Sequence, residues 1–220
     1  MILVPVKNLS AAKQRLAAVL DQPARTELAQ AMLQDVVAAI AAWPRRPACA
    51  LVTGDPFAIE LGREYDFEII PDPANPGETG AIEMATRLCV ERGRDSTLVM
   101  PADIPLIQAS EVDQILAQAP AEGSVLAPAA DGRGTNAAFR RPANLFPLRF
   151  GNDSFKPHLS AARSTGKPCI VLRLPGIALD VDNPEDLRQL LTRPGKTRTQ
   201  SLIRQWALDG RLPATGTESV

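Results

Sequence analysis

Two groups of aspartates follow apolar segments and could together bind a divalent cation. Asp103 comes directly after the apolar run of residues 96–100, and Asp180 with Asp182 follows a second apolar segment near the end of the chain. Ligands of open α/β sheets bind outside the carboxyl ends of the strands, so these carboxylates are the first candidates for a site. Residues two apart on a strand share a face, so the side chains of Asp180 and Asp182 could point at the same ion. Such a set of oxygen ligands suits Mg²⁺ that bridges nucleotide phosphates.

A basic loop directly after the first apolar segment is a candidate for binding phosphate groups. It contains Lys7, Lys13 and Arg15. Ammonium and guanidinium groups could hold a triphosphate and offset the charge that develops on a leaving pyrophosphate. The loop has neither the GxxxxGK[ST] pattern of a P-loop nor the GxGxxG pattern of a dinucleotide-binding turn. It therefore predicts phosphate binding of another kind.

Two glycine-containing turns could bind a second anion. Residues 132–136 read Gly-Arg-Gly-Thr-Asn, and residues 151–154 read Gly-Asn-Asp-Ser at the start of a predicted helix. The N-terminus of a helix presents unsatisfied N–H groups and a partial positive charge, so Ser154 and the Gly151 amide could bind a carboxylate or phosphate. His158 is the only histidine. It leaves one possible imidazole base and excludes a metal site made of several histidines.

Each of these groups also has an ordinary structural interpretation. Asp180 could be a loop residue, Asp182 could cap the next helix, and Asp103 could form a turn before a proline. The basic loop could be a solvated turn. Ser154 could be a simple N-cap, and His158 could be a structural helix residue. No GxSxG or Cys-His signature is present, so covalent hydrolase chemistry has no support.

Short apolar segments alternate with helical patterns, which predicts a single α/β domain with a mostly parallel sheet flanked by helices. Ser110 with Asp113 resembles a capping box at the start of one helix. Strands are predicted at residues 2–6, 48–53, 68–70, 96–100, 124–127, 137–140 and 170–172, with a last strand leading into residues 180–182. Helices are predicted from residue 23 to before residue 44, at 81–92, at 110–118, from about 154, and from 183 to about 191.

Composition excludes several classes of partner. The 220 residues are 45% hydrophobic and 22% charged, as in globular domains. The net charge of −1 and the 4% of aromatic residues argue against binding to nucleic acid or to an anionic membrane. Three cysteines without a CxxC pair argue against a disulfide framework or a zinc site. We find neither a leader pattern nor about 18 consecutive apolar residues, and expect a cytoplasmic protein.

Several segments in order resemble the CofC/FbiD family, guanylyltransferases of deazaflavin coenzyme biosynthesis with a nucleotide-diphospho-sugar transferase (GT-A-like) fold. The segments that carry the resemblance are residues 4–7 with 12–16, 103–106, 134–136, 150–154 with His158, and 180–182. The resemblance covers residues 1–192, which it implies to be the nucleotidyltransferase domain. Residues 193–220 form a C-terminal extension, for which we expect a frayed end over residues 213–220.

The resemblance implies a role for each group of site residues. Magnesium would be held by Asp103, Asp180 and Asp182, and the phosphorylated acid by Thr135, Gly151 and Ser154. The triphosphate would be bound by Lys7, Lys13 and Arg15, with Asp103, Lys13 and Arg15 acting in catalysis. Thr79 and Gly80 fall in the segment that resembles the base-recognition region, where this chain reads Glu-Thr-Gly instead of the usual Leu-Asn. Ala102 replaces a common glycine before the metal aspartate.

The implied reaction joins GMP from GTP to a small phosphorylated three-carbon acid and releases pyrophosphate. The acid would be phosphoenolpyruvate, 2-phospho-L-lactate or 3-phospho-D-glycerate, and a downstream transferase would receive the unstable product. Two alternatives stay open. One is a GT-A-type sugar transferase, or a nucleotidyltransferase with another base or acceptor. The other is a non-catalytic nucleotide-binding protein.

Overall fold

The structure of the protein is a computed structural model that describes residues 1–73, 77–151 and 153–208. Within these residues a seven-stranded sheet has the order β3-β2-β1-β4-β6-β5-β7. The strands are β1 Ile2–Val6, β2 Cys49–Thr53, β3 Glu68–Pro71, β4 Thr97–Val99, β5 Gly123–Pro128, β6 Thr135–Arg141 and β7 Cys169–Val171. The helices are α1 Gln22–Ala41, α2 Pro56–Glu64, α3 Glu78–Glu91, α4 Ala109–Ala117, α5 Phe155–Ser164, α6 Pro184–Thr192 and α7 Arg198–Leu208.

The sheet is mostly parallel, as the sequence predicts. Strand β1 pairs in parallel with β2 and β4, β2 with β3, and β5 with β7. Strand β6 is the exception, because it runs antiparallel to both β4 and β5. The start of β6 therefore lies at the same edge of the sheet as the carboxyl ends of the parallel strands. This reversal brings Thr135 to the edge where β1 and β4 end.

Hydrophobic side chains of the central strands pack on both faces of the sheet, as expected when helices cover both sides. All five residues of β1 are buried. Alternate residues of β1, Ile2 and Val4 against Leu3, contribute to two separate core clusters. One cluster includes buried residues of α1, α4, α6 and α7, and the other includes buried residues of α3 and α5. The sheet is therefore a rigid layer between two cores, and its edge can hold polar residues in fixed positions.

Helix caps explain several of the element boundaries. Asp21 precedes α1, and its side chain accepts a hydrogen bond from the Ala24 amide at 2.9 Å. Asp55 caps α2 in the same way, at 3.1 Å from the Ala58 amide. Its other carboxylate oxygen accepts the Leu9 amide at 2.9 Å. Asp55 therefore ties the basic loop after β1 to the beginning of α2.

The predicted strand leading into residues 180–182 is wrong. Residues 172–183 contain no strand, although Ile177, Leu179 and Val181 alternate with more exposed neighbours and are buried. The segment is held by single hydrogen bonds: the Val181 amide donates to the Asp103 carbonyl at 3.1 Å, and the Ala130 amide to the Ala178 carbonyl at 2.8 Å. Burial in a core produced the period of two without a strand ladder.

The predicted capping box at Ser110 and Asp113 is also wrong. Helix α4 begins at Ala109, and the Glu111 carboxylate accepts the Gln108 amide at 3.2 Å. The other Glu111 oxygen accepts the amide of Gly176 at 2.7 Å. Asp113 instead forms an ion pair with Arg45. The cap is displaced because Glu111 holds both the helix start and the turn that precedes the aspartates near the chain end.

Helices α2 and α7 are not expected from the sequence. The backbone amides of Arg198 and Thr199, at the start of α7, both donate to the carboxylate of Asp35 on α1 at 2.9 Å. Ile203 and Trp206 of α7 are buried in the core cluster shared with α1. The residues expected to fray, 213–220, lie outside the described part of the chain. Among the described residues, no helix is both long and apolar enough to cross a bilayer.

The burial of Trp206 predicts that α7 stabilises the whole domain. Trp206 is 2% exposed. Trp206→Ala should lower the free energy of unfolding by about 3 kcal/mol or more, because it removes buried apolar surface and leaves a cavity. Urea unfolding followed by circular dichroism measures this change. The control, Gln205→Ala, changes an exposed residue of the same helix and should stay within about 0.5 kcal/mol. Equal urea midpoints for Trp206→Ala and the wild type would contradict the prediction.

Candidate active site

Two adjoining cavities open at the carboxyl edge of the sheet. The first has a volume of about 520 Å³ and is lined by the loop after β1, by α1 residues and by Asp103. The second has a volume of about 510 Å³ and is lined by the turn before β6, by Ser154 and by Asp180. Residues common to both linings are Lys7, Arg15, Glu78, Pro101, Asp103 and Asp182. We name the two cavities after the ligands that the sequence predicts for them. The first is the nucleotide compartment, and the second is the acceptor compartment.

Lys13 lies between two of the three predicted metal aspartates. Its ammonium nitrogen is 2.6 Å from Asp103 Oδ2 and 2.8 Å from Asp182 Oδ1. Its backbone is in the left-handed region, with a φ of 56°, which directs the side chain of an exposed loop into the site. Burial alone would lower the pKa of Lys13, but the two carboxylates outweigh it and raise the pKa above its usual value.

Asp182 is held by two basic residues of the loop. In addition to the contact with Lys13, its second oxygen is 3.5 Å from an Arg15 guanidinium nitrogen. Burial would raise the pKa of Asp182, and the charges of Lys13 and Arg15 reverse the effect and lower it. This carboxylate is therefore ionised at neutral pH. Lys13 and Arg15, predicted to act together, are brought to the same aspartate.

Asp180 is close enough to Asp103 to be affected by its negative charge, and it is hydrogen-bonded to a neutral side chain. Its Oδ1 accepts a hydrogen bond from Asn136 Nδ2 at 3.1 Å, and the same amide nitrogen donates to the Ile177 carbonyl at 2.9 Å. Burial and the negative charge of Asp103 raise the pKa of Asp180 to about 6. Asn136 thus fixes the carboxylate while only partly offsetting its charge. The sequence analysis gave Asn136 no separate role, although it lies in the segment 134–136.

The carboxylates fit a divalent cation in their chemistry but not in their present arrangement. Among the described residues, no group of three acidic, histidine or cysteine side chains is placed to hold an ion directly. Lys13 occupies the position between Asp103 and Asp182. The remaining Asp103 oxygen, Oδ1, is buried and has no hydrogen-bond partner. A buried, unpartnered carboxylate oxygen beside a second carboxylate is short of positive charge, and a hard cation with oxygen ligands would supply it.

The predicted acceptor residues lie together in the acceptor compartment. Thr135, Gly151 and Ser154 all contribute to its lining. The Thr135 amide donates to Ser154 Oγ at 3.1 Å. Ser154 occupies the N-cap position of α5, but its side chain makes no capping hydrogen bond. The simple N-cap interpretation is therefore wrong, because the hydroxyl faces β6 instead of the helix amides. Asn152, in the same turn, lies outside the described residues.

His158 lies behind these hydroxyl groups. It is 1% exposed, and its Nδ1 is 2.9 Å from Thr135 Oγ1. Burial and the nearby charge of Arg140 lower the pKa of His158 to about 4, so the imidazole is neutral at physiological pH. His158 is not among the residues that line either compartment. The geometry does not place it as a base that reaches a substrate.

Thr79 and Gly80, predicted to contact the nucleotide, are not among the residues that line the two compartments. The Thr79 hydroxyl accepts a hydrogen bond from the Phe150 amide at 3.0 Å. Their neighbour Glu78 lines both compartments instead. Burial, followed by the charge of Asp103, raises the pKa of Glu78 to about 7. Glu78 is not among the site residues predicted from the sequence. The signal that could have identified it is an acidic side chain directly before Thr79 and Gly80.

The raised pKa of Glu78 predicts that its charge destabilises the fold. In the unfolded chain a glutamate releases its proton near pH 4.5, whereas folded Glu78 releases it near pH 7. Between these values the unfolded state ionises first, so stability decreases as pH rises and the full loss is present above pH 7. Glu78→Gln should therefore unfold at a higher urea concentration than the wild type at pH 8, with no such gain at pH 4.5. Both measurements are made with EDTA present.

The matched control for this prediction is Glu83→Gln, at an exposed position of the same helix. It should shift the urea midpoint by the same small amount at both pH values. A Glu78→Gln protein that is less stable than the wild type at pH 8 would show that ionised Glu78 is favourable in the folded state.

Comparison with known proteins finds relatives that match most of the chain. Residues 1–218 match the family model described as "Guanylyl transferase CofC like". A phosphoenolpyruvate guanylyltransferase of Sphaerobacter thermophilus is 37% identical over 187 residues, 85% of this chain and 90% of that protein. A 2-phospho-L-lactate guanylyltransferase of Methanothermobacter thermautotrophicus is 32% identical, covering 92% and 89%. A 3-phospho-D-glycerate guanylyltransferase of Colwellia psychrerythraea is 30% identical, covering 91% and 95%.

Solved structures support the same fold. A crystal structure described as a nucleotide-diphospho-sugar transferase from Desulfovibrio desulfuricans G20 superposes with a TM-score of 0.76. The two sequences are 20% identical, and the match covers 94% of each chain. The predicted nucleotide-diphospho-sugar transferase fold is therefore confirmed. Together with the family model over nearly the whole length, these matches establish that the chain belongs to the CofC-like family of guanylyltransferases.

Proposed function

We propose that this protein transfers GMP from GTP to a small phosphorylated three-carbon acid and releases pyrophosphate. The observation that carries the proposal is the pair of compartments that meet at Asp103 and Asp182, the two carboxylates to which Lys13 is paired. A transfer between two anionic substrates needs such an arrangement. One compartment holds each substrate, and opposite charges are placed where the reacting phosphates come together.

The nucleotide compartment would bind GTP through the basic loop. Lys7, Lys13 and Arg15 line it, together with the α1 residues Ala29 and Met32. The cationic side chains would neutralise the triphosphate and the pyrophosphate that leaves it. Glu78 also faces this space. The relatives are named as guanylyltransferases, which supports guanine as the base that is recognised.

We propose that Mg²⁺ is held by Asp103, Asp180 and Asp182. When bound, it would stabilise negative charge on the phosphates and help to align them for in-line displacement. The unpartnered Asp103 oxygen and the raised pKa of Asp180 support this assignment. The Lys13 ammonium must leave the carboxylates for the cation to reach them, and the incoming triphosphate is the anion to which it would transfer. Lys13 would thus pair first with the aspartate carboxylates and then with the triphosphate.

The acceptor compartment would orient the phosphorylated acid. The hydroxyl groups of Thr135 and Ser154 and the amide of Gly151 are neutral donors suited to a carboxylate or phosphate. A phosphate oxygen of the acid attacks the α-phosphorus of GTP, the new P–O bond forms, and the bond to pyrophosphate breaks. This oxygen is already ionised at neutral pH, so no general base is required. The buried, neutral His158 is consistent with such a site.

The identity of the acceptor is proposed at the level of a class. The relatives are named for phosphoenolpyruvate, 2-phospho-L-lactate and 3-phospho-D-glycerate. These acids share a phosphate and a carboxylate on three carbons, and differences of a few atoms are distinguished by pocket shape. The family resemblance further supports a role in deazaflavin coenzyme biosynthesis in the cytoplasm, with a downstream transferase that consumes the product.

A panel of substrates tests the function directly. The purified protein is incubated with Mg²⁺ and with GTP or ATP, alone and with each of the three acids, and pyrophosphate release is measured. We expect release with GTP and at least one acid, and none with GTP alone. Transfer to a sugar acceptor, or activity with another nucleotide, would support the alternative enzymes. Nucleotide binding without any turnover would support a non-catalytic protein.

The same assay includes Asp103→Asn, with Asp113→Asn as a matched control on the surface of α4. We expect Asp103→Asn to lower kcat by about 100-fold or more, the size of effect seen when one group that stabilises transition-state charge is removed. Its urea midpoint should show that the fold is retained. Asp113→Asn should retain wild-type turnover. Full activity of Asp103→Asn would reject the assigned role of this carboxylate.

Removal of divalent cations should abolish turnover without unfolding the protein. Lys13 already offsets the charge of Asp103 and Asp182, so EDTA should leave the urea midpoint of the wild type unchanged, and Mg²⁺ should restore activity. Lys13→Met removes this internal cation. We expect its urea midpoint to increase when Mg²⁺ is added, because Asp103 has then lost its ammonium partner and Asp182 has lost the nearer of its two cationic partners. Turnover that persists in EDTA would contradict the magnesium proposal.

A further inference from the structure

His158, the only histidine of the chain, contacts both Thr135 of the acceptor compartment and the loop before Gly151. His158 Nδ1 is 2.9 Å from Thr135 Oγ1, and His158 Nε2 is 2.8 Å from the backbone nitrogen of Arg149. Both ring nitrogens therefore have partners. Its ring also makes an edge contact with Phe150, with centroids 5.2 Å apart. The side chain is held too firmly to exchange partners freely.

These two contacts determine which ring nitrogen carries the proton. A backbone N–H can only donate, so Nε2 must accept from Arg149 and cannot be protonated. A neutral imidazole with an unprotonated Nε2 carries its hydrogen on Nδ1. Nδ1–H must then donate to Thr135 Oγ1, and the threonine oxygen must accept. The Arg149 amide on the loop therefore determines that His158 is the donor in its hydrogen bond to Thr135.

The direction of that bond sets the direction of the Thr135 hydroxyl proton. Because Oγ1 accepts from His158, its own hydrogen points elsewhere. The contact between Thr135 Oγ1 and Ser154 Oγ, 3.4 Å long with Ser154 as the donor, therefore does not take up the Thr135 hydrogen. Ser154 Oγ in turn accepts the Thr135 amide at 3.1 Å. Each hydroxyl oxygen thus accepts at least one hydrogen bond, and both residues line the acceptor compartment.

We propose that His158 is a positioning residue for the acceptor substrate: it makes Thr135 present its hydroxyl hydrogen to an anionic group in the compartment. The inference rests on the proposed function, since it needs an anionic acceptor in that space. With the other tautomer, Nδ1 would accept from Thr135, and the threonine would present lone pairs to the anion. Such an arrangement would repel the substrate that the present one binds.

A second set of contacts holds the same loop from the opposite side. The Phe150 amide donates to the Thr79 hydroxyl at 3.0 Å. The loop before Gly151 is therefore anchored by His158 at residue 149 and by α3 at residue 150. Loss of the Nε2 contact alone should leave the loop in place, whereas loss of the Nδ1 contact releases the Thr135 hydroxyl. The two ring nitrogens can thus be tested separately.

The first experiment measures the tautomer directly in the wild-type protein. With one histidine in the chain, protein labelled with ¹⁵N-histidine gives the signals of a single imidazole. At pH 7.5 we expect a neutral ring protonated on Nδ1, and a shift of the Nδ1 signal when the preferred acid is added with Mg²⁺ and without GTP. A ring protonated on Nε2 would overturn the proposal, as would a signal that saturating acid leaves unchanged.

The second experiment separates the two contacts by substitution. In His158→Asn the side-chain amide lies near the former Nδ1 and can still donate to Thr135. In His158→Gln the amide reaches the former Nε2 position, so it accepts from Arg149 but cannot donate to Thr135. We expect His158→Gln to raise the KM for the acid about tenfold or more, as for loss of a hydrogen bond to a charged group. The KM for GTP and kcat should stay within about threefold. His158→Asn should remain within about threefold of the wild type in all three constants.

Each outcome of the kinetics has a defined meaning. An unchanged KM for the acid in His158→Gln would overturn the positioning role while wild-type turnover still supports the proposed function. Parallel loss of GTP and acid binding in both variants would indicate a purely structural role and would also overturn it. If a variant does not fold, as judged by its urea midpoint, the tautomer and the acid-induced shift in the wild type still decide. Absence of any wild-type turnover would reject the proposed function instead.

Discussion

Acidic side chains gathered at one edge of the sheet require a compensating positive charge, and the organisation of the site follows from this requirement. Asp103, Asp180 and Asp182 are partly buried, where repulsion between like charges is poorly screened. Lys13 supplies one charge and reaches two of the carboxylates. Asp180 accepts a hydrogen bond from the neutral amide of Asn136, while burial and the charge of Asp103 raise its pKa. The domain thus keeps a charge imbalance at the point where we propose that its substrates meet, a common cost of function.

The sequence predicted the parts of the fold that follow from local patterns. Strand β1 has the predicted bounds, because its continuous apolar run is buried on both faces. Helix α6 follows Asn183 as predicted, since the Asn-Pro-Glu-Asp cap depends only on neighbouring residues. Asp103 was found because its position after a buried strand indicates an edge of the sheet. Lys13 and Arg15 were found from charge type and position in the chain.

The sequence could not predict features that depend on contacts between distant residues. The supposed strand before Asp180 has the right period, but among the described residues it pairs with no strand of the sheet. Helix α7 was missed because its apolar side chains become significant only against α1. Glu78 reaches both compartments because of where α3 begins, and the pattern of its own segment does not reveal this. The orientation of Ser154 likewise depends on β6, which lies 19 positions away in the chain.

The reversed direction of β6 has a consequence for how this site can evolve. Thr135 and Asn136 are consecutive residues of one strand, so their side chains point to opposite faces. The strand thus places Thr135 beside the Ser154 hydroxyl group and Asn136 beside the Asp180 carboxylate. An insertion or deletion in the preceding turn that shifted the register of β6 by one residue would exchange the two side chains between faces. New acceptor preferences are therefore more accessible through replacement of side chains around this strand than through changes in the length of its turn.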